Sequence, residues 1–232
     1  MRKMKALAFF GAFNPPTLAH LNLARFALER TGRETVVFVP SKSVYIRESQ
    51  GKDFAYPDHL RLAMLRAAAE TRPWMAATDW EIRRARQPRT YETLCHLREE
   101  GTEASLLIGS DKLPELAEKW VHVREIAEEF GIVCLARGGD DCGRIIRESG
   151  FLTSLSRYIL TLEPPPETRE ISSTRVRRIV AEKGASAEEL SGLVPAEIAC
   201  LLGPENQEQA AKAAPSAADG ERKRQKGEKD EA

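Results

Sequence analysis

Ala8-Phe9-Phe10-Gly11-Ala12-Phe13-Asn14-Pro15-Pro16-Thr17-Leu18-Ala19-His20 runs from an apolar strand, through a Gly/Asn/Pro turn, into a helix that carries a histidine in its first turn. A strand of this kind delivers backbone to the edge of a parallel sheet. Gly11 removes a side chain where the turn passes close to a ligand, and a helix N-terminus offers unpaired N–H groups and a positive dipole end to an anion. The stretch predicts a phosphate site at a strand-to-helix junction.

Outward from this junction, short β-branched or aromatic runs alternate with longer helical patterns. Strands are expected at 4–10, 35–39, 74–77, 105–108, 132–135 and 158–162, with helices at 18–30, 57–70, 91–100, 113–130 (broken near 120–123) and 142–149. Strand, helix, strand in repetition means an α/β fold: a Rossmann-like, doubly wound parallel sheet with helices on both faces. Glu163-Pro164-Pro165-Pro166-Glu167 closes the sheet region. Ser172 and Ser173 then stand ahead of an apolar-periodic run as helix-capping residues, and that helix reaches about Lys183. A last short helix at 195–202 is expected to carry Pro195 in its first turn. From Gly203 to Ala232 there is no aromatic residue and no Val, Ile, Leu or Met. The chain therefore divides into a domain over 1–202 and a charged tail, 203–232, that is expected to be disordered.

The 232 residues suit one α/β domain with a buried core, followed by C-terminal helices. Lys plus Arg and Asp plus Glu balance at 35 each, which argues against a nucleic-acid binder that works by global basic charge, so any anion site is local. Cys95, Cys134, Cys142 and Cys200 form no C-x-x-C pair, and the histidines form no H-E-x-x-H pattern. Buried or merely tolerated thiols are expected rather than disulfides or a protein-built metal site. No stretch is long enough for a membrane span and the N-terminus does not read as a signal peptide, which predicts a cytoplasmic protein with no membrane partner. Homo-oligomerisation stays open.

Three segments follow strands and converge in such a topology: the first turn, the Gly109-Ser110-Asp111 turn, and the helix start at Ser172 to Arg178. Thr17 supplies a hydroxyl and His20 an imidazole three residues later. Arg175, Arg177 and Arg178 supply guanidinium groups, whose planar forks suit phosphate oxygens. No nucleophile stands beside an activating base, so covalent catalysis is not implied. Two helix starts with His and Arg suit a polyphosphate held in line for transfer. His59, His96 and His122 read as structural or solvent-facing, and Arg83, Arg84, Arg86 and Arg89 as a solvated face or a substrate-gating loop.

Gly11-x-Phe13-Asn14-Pro15-x-Thr17-x-x-His20 resembles the nucleotidyltransferase signature G-x-F-[DN]-P-x-[HT]-x-x-H, and Ile171-Ser172-Ser173-Thr174-x-Val176-Arg177 resembles its I-S-S-T-x-[IV]-R partner. Asp79-x-Glu81-x-Arg83-Arg84, Thr90-x-Glu92-Thr93-Leu94 and Ile108-Gly109-Ser110-Asp111 with Leu113, Leu116 and Trp120 are similar to nicotinate or nicotinamide mononucleotide adenylyltransferases. This resemblance implies transfer of AMP from ATP to the 5′-phosphate of a pyridine mononucleotide, with release of pyrophosphate. It assigns the α-phosphate to His20 with Thr17 beside it, and the β and γ phosphates to Arg177. Gly11, Phe13, Asn14, Ser172 and Ser173 join Arg177 in binding ATP. Thr90, Asp111 and Trp120 would bind the mononucleotide, with Lys42 and Arg47 both candidates for the family's lysine after the second strand. Mg2+ would enter with ATP on phosphate oxygens and water. Thr17-Leu18-Ala19-His20 departs from the H-x-G-H of bacterial nicotinate-type enzymes, Arg89 stands where tyrosine is frequent, and Val121 stands where an aromatic is common. Preference for the acid or the amide mononucleotide therefore stays open. So do another phosphate acceptor, such as phosphopantetheine, and a nucleotide-sensing module without turnover.

Overall fold

In the computed structural model, which describes residues 3–48, 54–165, 171–183, 186 and 188–203, the apolar runs form one sheet. Its strands are β1 (Met4–Gly11), β2 (Thr35–Pro40), β3 (Met75–Ala77), β4 (Thr102–Gly109), β5 (Ile132–Leu135) and β6 (Ile159–Leu162). Every pairing is parallel and the order is β3-β2-β1-β4-β5-β6. From β1 the chain winds outward through β2 and β3, then returns to the other side of β1 for β4, β5 and β6. The order therefore reverses between β1 and β4, where an open parallel sheet leaves a crevice beyond its carboxyl ends.

The helices are α1 (Leu18–Thr31), α2 (Ser43–Glu48), α3 (Asp58–Glu70), α4 (Trp80–Arg83), α5 (Thr90–Glu99), α6 (Leu113–Glu118), α7 (Val123–Phe130), α8 (Cys142–Glu148), α9 (Gly150–Ser154), α10 (Ser173–Lys183) and α11 (Ala196–Leu201). Because successive strand residues face opposite sides, the sheet buries two layers. Leu7, Phe38, Leu107 and Leu135 pack with Leu21 of α1, Leu65 of α3, Val176 of α10 and Ile198 of α11. Ala8, Val39, Leu106 and Cys134 pack on the other face with Leu94 of α5, Leu116 of α6, Ile126 of α7 and Leu152 of α9. Burial on both faces explains why the strands read as continuous apolar runs rather than alternating ones.

The doubly wound sheet expected from sequence is the one observed. The 113–130 pattern splits where expected, into α6 and α7 with Trp120 between them. Three short helices, α2, α4 and α9, were not expected. Pro195 lies one position earlier than expected, as the N-cap of α11 rather than in its first turn. The expected disorder of 203–232 falls outside the described residues, Gly203 apart.

Candidate active site

Gly11 closes β1 level with Pro40 of β2, and Phe9 pairs with Leu107, so Gly11 and Gly109 end neighbouring strands at the switch in strand order. Beyond Gly11 the chain turns through Phe13, which has a positive φ of 43°, and a cis Asn14–Pro15 peptide. A Cβ on Gly11 would stand 3.0 Å from the Phe13 ring. The glycine therefore lets that ring fold back over the strand end, where it is buried edge-on to His20 with centroids 5.3 Å apart.

Thr17, fully buried, is the N-cap of α1, and His20 is the third residue of the helix; the two form a reciprocal capping box. The Thr17 backbone N–H donates to His20 Nδ1 at 3.1 Å, and Thr17 Oγ1 lies 2.8 Å from the same nitrogen. A ring nitrogen that accepts from an amide carries no proton, so the neutral ring holds its proton on Nε2 as a donor. The helix end is less open than the sequence suggested. The Leu18 N–H donates to the carbonyl of Leu193 at 2.9 Å, from the segment leading into α11. This cap joins two stretches far apart in sequence, and no local pattern announces it.

Asn14 is buried, and its amide faces inward. Its Nδ2 donates to Phe54 O and its Oδ1 accepts from the Tyr56 N–H, both at 2.8 Å. Arg61 of α3, also fully buried, completes the clamp. It donates to Ala12 O (2.6 Å), Tyr56 O (3.0 Å), Ser41 O and Asp58 Oδ1 (2.6 Å). Burial lowers its pKa, while Asp58 pulls the other way. One guanidinium thus ties the ends of β1 and β2 to the segment entering α3. Sequence reasoning overlooked Arg61, although its place on the stripe of Leu65 and Ala68, four and seven positions on, is a signal of inward direction.

From the far end of the chain, Ser172 caps α10 by accepting the Arg175 N–H at 3.1 Å. Ser173 Oγ donates to Pro15 O at 2.8 Å, and Arg177 Nη1 donates to Asn14 O at 2.7 Å. Arg177 Nη2 lies 3.2 Å from Thr174 Oγ1, and partial burial lowers the guanidinium's pKa. Tyr56, pushed up to about 12 by burial, feels Arg177 as its second influence. The two motifs therefore meet on one loop, as expected. Ser173 and Arg177 are in direct contact with the turn, while Arg175 and Arg178 are exposed.

Beside α1 lies a small cleft of about 40 Å³ lined by Ala19, Leu23, Ala136, Arg137, Gly138, Pro164 and Ile171. Its β5 rim is tied to the turn after β4: Ser110 Oγ donates to Asp140 Oδ2 at 2.7 Å and accepts the Arg137 N–H at 2.9 Å. Asp111 lies 3.3 Å from Arg137 Nη1, and a Cβ on Gly109 would intrude to 2.5 Å from Asp111 Oδ1. Glycine at 109 is what lets that pair cross the strand end.

The remaining candidates divide. Thr90 opens α5, half-buried, behind the exposed Arg89. Trp120 packs, half-buried, on the core layer between α6 and α7. Lys42 Nζ donates to Ile82 O (2.9 Å) and Arg84 O (2.6 Å), holding the end of α4. Arg47 lies in the last turn of α2. Glu81, read in the sequence only as part of a motif, is buried with its carboxyl pushed up to about 7.

A family model described as cytidylyltransferase-like matches residues 8–179, a span that holds both motifs. The chain belongs to the cytidylyltransferase-like family. Within it, this cytidylyltransferase-like protein is 30% identical over 202 residues to nicotinamide/nicotinic acid mononucleotide adenylyltransferase 2 of Caenorhabditis elegans, covering 78% of this chain and 89% of the relative. It is 29% identical to a probable nicotinate-nucleotide adenylyltransferase of Caldicellulosiruptor bescii, over 77% and 88% of the two chains. The structure of Plasmodium falciparum nicotinic acid mononucleotide adenylyltransferase complexed with NaAD superposes with a TM-score of 0.62 at 14% identity, covering 86% of this chain and 94% of that one. At that identity the likeness speaks to the fold, which is shared.

Proposed function

We propose that the protein is an adenylyltransferase of NAD biosynthesis, moving AMP from ATP to nicotinate or nicotinamide mononucleotide and releasing pyrophosphate. The observation that carries this reading is the meeting of Thr17 and His20 with Ser173 and Arg177 on one loop at the switch in strand order. It is supported by the names of the relatives above.

On this reading, a phosphate oxygen of the mononucleotide attacks the α-phosphorus of ATP. The new P–O bond forms as the bond to the bridging oxygen of pyrophosphate breaks, and that oxygen leaves with the electron pair. His20 Nε2–H donates to an α-phosphate oxygen as negative charge builds there, its ring direction set by Thr17 through Nδ1. Arg177, anchored by Asn14 O, has further guanidinium donors for the β and γ phosphates. The adenosine would lie against the small open cleft between α1 and the ends of β5 and β6. Thr90, Asp111 and Trp120 would face the mononucleotide.

The donors at the turn are hydroxyl, imidazole and guanidinium. That set fits a magnesium ion carried on the triphosphate with water, and among the described residues no three His, Cys, Asp or Glu side chains cluster for a metal. When bound, the ion neutralises phosphate charge. No helix among the described residues is long and apolar enough to cross a membrane, and four free cysteines suit a reducing, cytoplasmic setting.

The test is pyrophosphate release from ATP and Mg2+ with each pyridine mononucleotide and with phosphopantetheine. Turnover with a pyridine mononucleotide is expected, together with a fall of about 10²- to 10³-fold in kcat for His20→Ala. No pyrophosphate from either pyridine acceptor, or a His20→Ala variant equal to wild type, overturns the reading.

A further inference from the structure

Glu81 is only 2% exposed, yet neutral donors satisfy both of its carboxylate oxygens. Thr93 Oγ1 donates to Oε1 at 2.7 Å, and Gln87 Nε2 donates to Oε2. A buried carboxylate without a cationic partner stabilises less than an apolar group of the same size, so stability alone does not account for a polar acceptor here. What the side chain supplies is an acceptor of fixed position. Its Oε2 accepts, so it turns the amide nitrogen of Gln87 toward itself and leaves Gln87 Oε1 to face away. That oxygen accepts the Lys42 backbone N–H at 2.8 Å, on the turn following β2. A group at position 81 with a donor and no acceptor toward Gln87 would flip the amide and set its NH2 against the Lys42 N–H.

Lys42 closes the circuit, its ammonium donating to Ile82 O and Arg84 O on either side of the end of α4. The turn after β2, the end of α4 and the first turn of α5 are thus held by one carboxylate. Lys42 and Thr90 stand on this unit, beside Gln87 and Thr93 respectively.

We propose that Glu81 is a positioning residue for the mononucleotide half of the site: by orienting Gln87 and anchoring Thr93, it fixes the Lys42 turn and the start of α5 relative to each other. The proposal rests on the adenylyltransferase reading above, in which these segments rim the mononucleotide. ATP, held by α1 and α10, lies outside the unit.

The experiment is steady-state kinetics of the full chain, varying ATP and the mononucleotide separately. Glu81→Ala is expected to raise KM for the mononucleotide by about tenfold or more, the scale of one lost buried hydrogen-bond network, with KM for ATP within about twofold of wild type. Glu81→Gln is expected to restore it. Its carbonyl still accepts from Gln87, while its NH2 meets a Thr93 hydroxyl that rotates to accept. Gln87→Ala, on the loop rather than in the core, is expected to show the same split and keeps the test in hand should Glu81→Ala not fold. An unchanged mononucleotide KM in Gln87→Ala, or equal rises in both KM values, overturns the proposal while leaving adenylyl transfer intact. A wild type inactive with both pyridine acceptors overturns that reading and the proposal together.

Discussion

At Glu81 a carboxylate sits where water does not reach, and the cost is visible as a titration. Burial raises its pKa from 4.5 to about 7; the bonds from Thr93 and Gln87 pull it down and the charge of Glu92 adds to the rise. Between these two values the folded protein binds the proton that the unfolded chain has released, so stability falls as pH rises through that window and is flat above and below it. At about 1.4 kcal/mol per unit, the contribution is of order 3 kcal/mol. Glu81→Gln has no proton to hold, so its stability relative to wild type should rise by that amount between pH 4.5 and 8. Urea melts of both proteins across that range give the comparison, and parallel stability curves would count against a neutral, buried Glu81. The same residue shows the limit of sequence reading. Asp79-x-Glu81 was legible as part of a motif, but whether its carboxylate met solvent, cation or amide depended on Gln87 and Thr93, which only the fold brings to it.

At the scale of elements, α3 holds the site's floor through Arg61. Replacing it by methionine keeps the volume of the stem and removes every donor, leaving the carbonyls of Ala12, Ser41 and Tyr56 without this partner and Asp58 without its cation. Breaking a buried charged network in this way costs about 3–5 kcal/mol. Guanidinium-chloride unfolding of Arg61→Met should show a lower midpoint at unchanged slope, and a loss below about 1 kcal/mol would mean that water replaces the arginine. The helix itself was readable from its apolar stripe, as were α1, α5, α7, α8 and the six strands, because each is long enough or apolar enough to show its period. α2, α4 and α9 span six, four and five residues, too few turns for a period to appear. In the candidate site, the meeting of the Thr17–His20 turn with the helix of Arg177 was legible from the two motifs. The inward turn of Asn14, the engagement of Lys42 with α4 and the cap from Leu193 were not, since each depends on a partner 40 or more positions away.

For the molecule as a whole, the question is where the enzyme ends. α11 and the segment before it are part of the core: Leu190, Leu193, Val194, Ile198 and Leu202 are all buried against the layer that carries α1 and α3. Leu193 O also caps the helix that bears His20, and Glu197 pairs with Arg72 of the segment following α3. At about 1.5–3 kcal/mol for each buried aliphatic side chain, these five together match the whole 5–15 kcal/mol by which a domain of this kind is stable. A chain ending at Glu189 should therefore fail to fold. Residues 204–232 contain no aromatic residue and no Val, Ile, Leu or Met, so they bring no large apolar side chain to a core. A chain ending at Gly203 should melt within about 2 °C of the full protein and keep its kcat and both KM values, since it retains all five of these buried side chains. Differential scanning calorimetry and the pyrophosphate assay, run on both truncations, decide the boundary. A 1–203 chain that melts well below wild type, or a 1–189 chain that stays folded, would move it.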